Sequence, residues 1–138
     1  MKIVLNKYLG KWFEIARIKN HFETNMTGVT AEYSLNDDGE IRVVNSGYIN
    51  GELNFITGIA KTTDKDDLLM VSFFPGIDLE YKIIAIRGDY EYALVGGSNE
   101  NYLWILGREN YIYREYLEQF ITLATALGYN VDNLEITK

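Results

Sequence analysis

The sequence predicts an all-β fold, an eight-stranded antiparallel up-and-down β-barrel with one C-terminal α-helix packed on the outside. Three observations carry this. Turn signals recur roughly every 8 to 12 residues, the spacing of an antiparallel sandwich or barrel. The composition sets 11 Tyr and 12 Gly against a single proline, Pro75, which suits strands joined by tight turns. The hydrophobic period then changes once, near the C-terminus, from alternation to helical spacing.

The bulk numbers narrow the function classes. At 138 residues the chain is long enough for one domain, residues 1–138, with a core or a wall around a cavity. With 47% hydrophobic and 24% charged residues it reads as globular rather than disordered or membrane-spanning. A net charge of −7 repels phosphate backbones and anionic surfaces, so nucleic acid is a poor partner. No cysteine is present, which removes disulfides, a thiolate nucleophile, a thiolate metal site and a lipidated Cys. The opening "MKIVLNKYLG" is too short in apolar residues for a secretory signal. The expectation is therefore a cytoplasmic protein with no membrane span or lipid anchor, or a periplasmic or secreted one if a leader has been removed.

Taken in order, the strands are expected near residues 11–18, 28–35, 40–49, 53–61, 67–74, 79–87, 91–97 and 102–108. Between them lie Asn36-Asp37-Asp38-Gly39, Asn50-Gly51, Thr63-Asp64-Lys65-Asp66, Pro75-Gly76, Gly88-Asp89 and Ser98-Asn99-Glu100-Asn101. Asn-Gly and Asp-Gly steps favour the positive φ of hairpin turns. The stretch from Ile18 to Gly28 is longer than a hairpin needs and holds Phe22 and Met26, so it is expected to be an entrance loop. In "YIYREYLEQFITLATALG", Leu117, Ile121, Ala124 and Leu127 form one stripe of an amphipathic helix ended by Gly128. "YNVDNLEITK" reads as a short final strand or tail.

Alternation assigns faces. In the second strand Val29, Ala31, Tyr33 and Leu35 point inward. In the first, Trp12, Glu14 and Ala16 share one face while Phe13, Ile15 and Arg17 share the other; both carry apolar bulk, and the helix is the natural cover for the outer set. In the eighth, an inward Trp104 and Leu106 bring Arg108 to the same face. A closed barrel makes the first and last strands antiparallel neighbours, so Trp12 and Arg108 are expected together at one end, guanidinium on indole, as a plug.

Gly10-Lys11-Trp12, followed by Phe13-Glu14-Ile15-Ala16-Arg17, resembles the first motif of the lipocalin family, in its bacterial and apolipoprotein D-like branch. Asp89-Tyr90 before Tyr92-Ala93-Leu94-Val95 is similar to the second motif, with Gly88 in place of the usual Thr. Residues 102–108, "YLWILGR", resemble the third, and "VTAEYSLNDDGEIRVVNSGY" and "MVSFF" also read like this branch. The resemblance implies a calyx closed at one end by Trp12 and Arg108 and open at the other to a small hydrophobic ligand of the fatty acid or lysophospholipid class. Gly10, Trp12, Asp89, Tyr90 and Arg108 are then structural motif residues. Parity and resemblance together give the cavity-facing set as Glu14, Ala16, Ala31, Tyr33, Asn45, Val71, Phe73, Tyr81, Ile83, Val95 and Trp104.

Such a mostly apolar, aromatic set with a few polar groups suits a small-molecule pocket, and equally a filled barrel. Glu14, a carboxylate facing an apolar interior, needs partners. Asn45 and Tyr33 are its candidate partners, and either Glu14 and Asn45 bind a ligand's polar head or a trapped water, or the group is a self-satisfied network at the closed end. No catalytic residue, metal or cofactor is expected. The one histidine, His21, sits in the long loop, too little for a triad or a multi-His metal site. The acidic pairs Asp37-Asp38 and Asp66-Asp67 suit turns better than a calcium site. A haem-binding or enzymatic calyx variant is the alternative, as is an interaction module with a filled barrel. For the last, Tyr111, Tyr113, Tyr116 and Phe120 either form a partner surface or pack over the barrel. A monomer or weak dimer is expected.

Overall fold

The structure is a computed structural model that describes residues 2–18 and 26–137. A short helix α1 (Leu5–Tyr8) leads into β1 (Gly10–Ile18), β2 (Thr27–Leu35), β3 (Ile41–Ile49), β4 (Glu52–Thr62), β5 (Leu68–Phe74), β6 (Ile77–Arg87), β7 (Tyr92–Gly96) and β8 (Leu103–Gly107). A helix α2 (Arg114–Ala126), a 3₁₀ turn (Val131–Asn133) and a short strand β9 (Leu134–Ile136) follow. Each strand from β2 to β7 pairs antiparallel with the next, and β1 pairs with both β8 and β2. That last pairing leaves the barrel no edge to seal by other means. Asn50 and Gly51 both have positive φ, as a two-residue hairpin turn between twisted strands requires.

β1 divides its second edge. Gly10–Phe13 pair with Tyr33–Thr30 of β2, while Ala16–Ile18 pair with Ile136–Leu134 of β9. The register against β8 slips between Glu14 and Ala16, since Glu14 faces Leu106 but Ala16 faces its neighbour Ile105. One residue, Ile15, is extra, and such a bulge reverses the alternation beyond it.

The apolar residues sort into two clusters. The inner one holds Trp12, Tyr33, Val43, Ala60, Val71, Ile83, Val95 and Leu106. The outer one, between barrel wall and α2, holds Ile15, Ala16, Leu94, Leu103, Ile105, Phe120 and Ala124. The helix lies over the first and last strands as expected, but turned from the expected stripe. Phe120 is fully buried, whereas Leu127 is 56% exposed. A helix of 13 residues buries one stripe, and the larger aromatic takes it. Phe120 is therefore withdrawn from any partner surface, while Tyr111 and Tyr113 are half exposed. Gly128 N–H bonds to the Thr125 carbonyl and Tyr129 N–H to that of Ala124, the paired bonds that close a helix C-terminus.

Three separate stretches meet at the closed end. Arg108 holds its guanidinium 3.7 Å from the centre of the Trp12 ring. Its nitrogens donate to the carbonyls of Tyr90 (3.0 Å), Lys11 (3.0 Å), Lys7 (2.8 Å) and Tyr8 (3.2 Å). The Trp12 indole N–H donates to the Tyr8 carbonyl at 2.8 Å. Lys7 pairs with Asp89 at 2.9 Å, and the Tyr90 hydroxyl accepts from Val4 N–H at 2.8 Å. α1 is thereby strapped under the barrel, with the Tyr8 ring 5.1 Å from Trp12. Above it the Tyr8 and Tyr81 hydroxyls share a hydrogen bond, and Tyr33 donates to Tyr81 at 2.9 Å. Burial holds Tyr8 and Tyr81 well above the ordinary phenol range.

Two outcomes follow from this end. Arg108→Lys is expected to lower stability by about 2 kcal/mol, because an ammonium cannot reach four carbonyls and lie flat on an indole; urea unfolding measures it. Because the folded phenols have raised pKa values, their contribution is intact below the unfolded phenol value of about 10 and is lost as pH rises beyond it. Stability is thus expected to fall steeply above pH 10, and less steeply in Tyr81→Phe, as urea midpoints across that range would show.

Candidate ligand-binding site

Residues directly opposed in antiparallel strands share a face, so the register traces rows around the inner wall. Trp12, Ala31, Asn45 and Ile56 form one row. Arg17, Trp104, Val95 and Ile83 form a second. Tyr33, Val43 and Gly58 lie in a third, and Val71 opposes Leu79 as Leu69 opposes Tyr81. Phe73 completes the wall: its ring lies against Gly58, where an added Cβ would stand 2.6 Å from it, so only glycine admits the ring.

The inner wall is graded in depth. Tyr33, Val71, Ile83 and Val95 are buried, with Tyr8 and Trp12 beneath. Ala31, Asn45, Phe73, Tyr81 and Trp104 are half-buried. Nearer the rim, Ile56 and Leu79 face inward yet remain 39% and 41% exposed. The candidate site is the inner face above this packed floor, with its solvent-reached end at Ile56 and Leu79, where β4 runs past a β5 partner whose pairing with it starts at Ile59. At its rim stand the β3–β4 and β5–β6 hairpins.

One expected member of the wall is elsewhere. Ala16 lies in the outer cluster beneath α2, because the bulge at Ile15 turns it outward and brings Arg17 in beside Trp104. The same bulge puts Glu14 and Arg17 on one face, although residues three apart in a regular strand point apart. Both are about 4% exposed. Glu14 Oε2 accepts from Arg17 Nη1 at 3.0 Å and from the Thr137 hydroxyl at 2.9 Å. Thr137 N–H also donates to the Ile15 carbonyl at 2.9 Å. Arg17 further donates to the Met26 carbonyl at 3.3 Å and approaches Glu135 at 3.4 Å. The group fills the seam where β1 leaves β2 for β9. The partners expected for Glu14 were Asn45 and Tyr33, but the phenol of Tyr33 is directed to Tyr81.

Of the entrance loop, Met26 is described: its methyl lies over Gly47, where an added Cβ would come within 2.7 Å of it. Phe22 and His21 lie outside the described residues. Among the described residues no group of three or more His, Asp or Glu side chains is placed to hold a metal, and no helix is long and apolar enough to cross a membrane. Sequence reasoning missed Tyr8, Ile56 and Leu79 in the candidate floor and wall, and Arg17 and Thr137 in the seam beside it. Alternation extended outward from Ala60 and Tyr81 would have found Ile56 and Leu79. The other three depend on a bulge and on two chain ends that carry no periodic signal.

A family model described as a lipocalin-like domain matches residues 3–138. The chain is 37% identical to the outer membrane lipoprotein Blc of Vibrio cholerae, over 94% of this chain and 79% of that one. It is 33% identical to mouse apolipoprotein D, over 96% and 75%. Its fold superposes on that of insecticyanin from the tobacco hornworm with a TM-score of 0.81 at 17% identity, covering 99% and 81%. The expectation of a cytoplasmic protein is overturned by the bacterial relatives, which are outer membrane lipoproteins. Composition and a short apolar N-terminus carry no cellular address. With its motifs joined at one closed end of an eight-stranded barrel, and a family match across nearly its whole length, the chain belongs to the lipocalins.

Proposed function

We propose that this chain holds a single-chain lipid in the barrel, non-covalently, as a carrier or store at the cell envelope. Binding of small hydrophobic ligands is the lipocalin role, and lipocalins are in the main binding proteins rather than enzymes. The observation that carries the reading is the inward-facing yet solvent-reached apolar wall at Ile56 and Leu79. Water against that wall is displaced by an acyl chain. Each methylene buried contributes about 0.8 kcal/mol, so about fifteen contribute about 12 kcal/mol. Against an association cost of about 4 kcal/mol, about 8 kcal/mol remains, which is micromolar affinity. Wider ligands are disfavoured by the Phe73 ring across the wall. The Blc relatives' place in the outer membrane supports an envelope setting and a lipid as the available cargo.

The Glu14–Arg17–Thr137 group reads as a staple of the wall. Glu14 bonds both Arg17 and Thr137 at the seam, and a buried ion pair held in this way resists conversion into a head-group site.

Titration with a fluorescent fatty acid tests the binding reading; the protein is expected to take it up with micromolar or better affinity, and no uptake would sink it. Leu79→Glu, at a partly exposed position of the mouth, is expected to weaken uptake at least tenfold with little change in melting temperature. Glu14→Gln is expected to do the reverse. It strands a buried guanidinium, lowering stability by about 3 kcal/mol, while affinity below the melting transition stays as in the parent.

A further inference from the structure

The three hydroxyls at the floor carry one more proton than their mutual bonds use. Tyr33 spends its own on Tyr81. The Tyr8–Tyr81 bond uses one of the two protons that remain. One O–H on Tyr8 or Tyr81 is left without an acceptor among the described residues. The two sites differ in access. Tyr8 is 1% exposed, packed against Trp12 and Tyr33, while Tyr81 is partly open to the cup. When Tyr8 donates to Tyr81, the Tyr81 oxygen accepts twice and its own proton points to the cup. A donor covered by an acyl chain is costly when unmet, so a ligand that displaces water from the cup and brings an acceptor to this O–H is favoured.

We propose that Tyr81 anchors the oxygen end of the ligand, so that a free fatty acid sits carboxyl-down on the floor with its methyl end at the mouth. This rests on the barrel-binding reading above. Charge agrees with it. Glu14, an inward carboxylate, is neutralised by Arg17 and accepts a hydrogen bond from Thr137, and the Arg108 guanidinium stands just beyond Trp12. Both phenols remain neutral donors through the physiological range, so they meet a carboxylate without repulsion. Tyr8, Trp12 and Tyr33 pack together at the floor, and in this pose the end of the ligand that meets them is a carboxyl group, far smaller than a glycerophospholipid head, which favours fatty acids over lysophospholipids.

The chain has two tryptophans, and they stand at different depths, Trp12 at the floor and Trp104 higher in the wall. In Trp104→Phe, Trp12 becomes the single reporter. Stearic acids carrying a nitroxide at carbon 5 or at carbon 16 are titrated into this variant. Carboxyl-down binding is expected to quench Trp12 at least threefold more with the carbon-5 label. Stronger quenching by the carbon-16 label, or equal quenching, overturns the orientation. Tyr81→Phe in the otherwise unchanged chain supplies a second readout. It is expected to weaken stearate about tenfold and leave diphenylhexatriene, an apolar probe without an acceptor, unchanged. An equal loss for both probes reduces Tyr81 to packing and overturns the proposal. Absence of binding by either probe in the parent chain sinks the binding reading itself, and this proposal with it.

Discussion

The guanidinium of Arg108 on the face of Trp12 is the contact from which the rest of the barrel is organised. A cation over an indole is worth about 1 kcal/mol on its own, which would not close a barrel. Its weight comes from the four carbonyls that the same guanidinium gathers, two at the end of α1, one at the start of β1 and one before β7. The segments around the start of β1 and before β7 are far apart in sequence, and the fork ties their carbonyls to the end of β8. One planar fork satisfies them together. With that end fixed, β1 and β8 are held in register at their meeting point, and the wall above can splay without losing closure.

Much of this was legible from residue order alone. The eight strands were readable because Gly, Asn and Asp punctuate them at short intervals, and the pairing of Trp12 with Arg108 followed from parity at two strand ends. What stayed hidden has a common cause, which is that alternation says nothing about where it fails. The bulge at Ile15 carries no Gly or Pro to mark it. A strict two-residue period therefore placed Ala16 in the cavity and Arg17 outside, the inverse of the structure. The stripe of α2 was misread by a smaller angle, because three apolar ridges compete on that helix and the wall beneath decides which is buried. Tyr8 was invisible for another reason: a four-residue helix has no period to detect, and its position is set by Arg108, one hundred residues away.

The site combines two kinds of surface that rarely coexist in a core. The upper wall is apolar and wetted, which makes displacement of water favourable. The floor is aromatic and hydrogen-bonded, with polarity confined to phenol oxygens and the shielded cation beyond them. The polar staple at the seam stands apart from both. Its carboxylate and guanidinium neutralise each other within the wall, so the interior remains apolar despite containing charged residues. The three parts are an aromatic floor, an apolar wall and a polar seam that keeps the cylinder shut.

The split edge of β1 bears on how the chain reaches this state. The pairing partner of its second half, and the hydroxyl that covers Glu14, come from residues 134–137. Those are the last parts of the wall to leave the ribosome, while β1 is among the first. Long-range closure of this kind is slow. During synthesis Glu14 and Arg17 stay hydrated and the nascent cylinder stays unzipped along one line. Completion of the seam is thus timed by translation, and the barrel acquires its final shape only once residues 134–137 have been made.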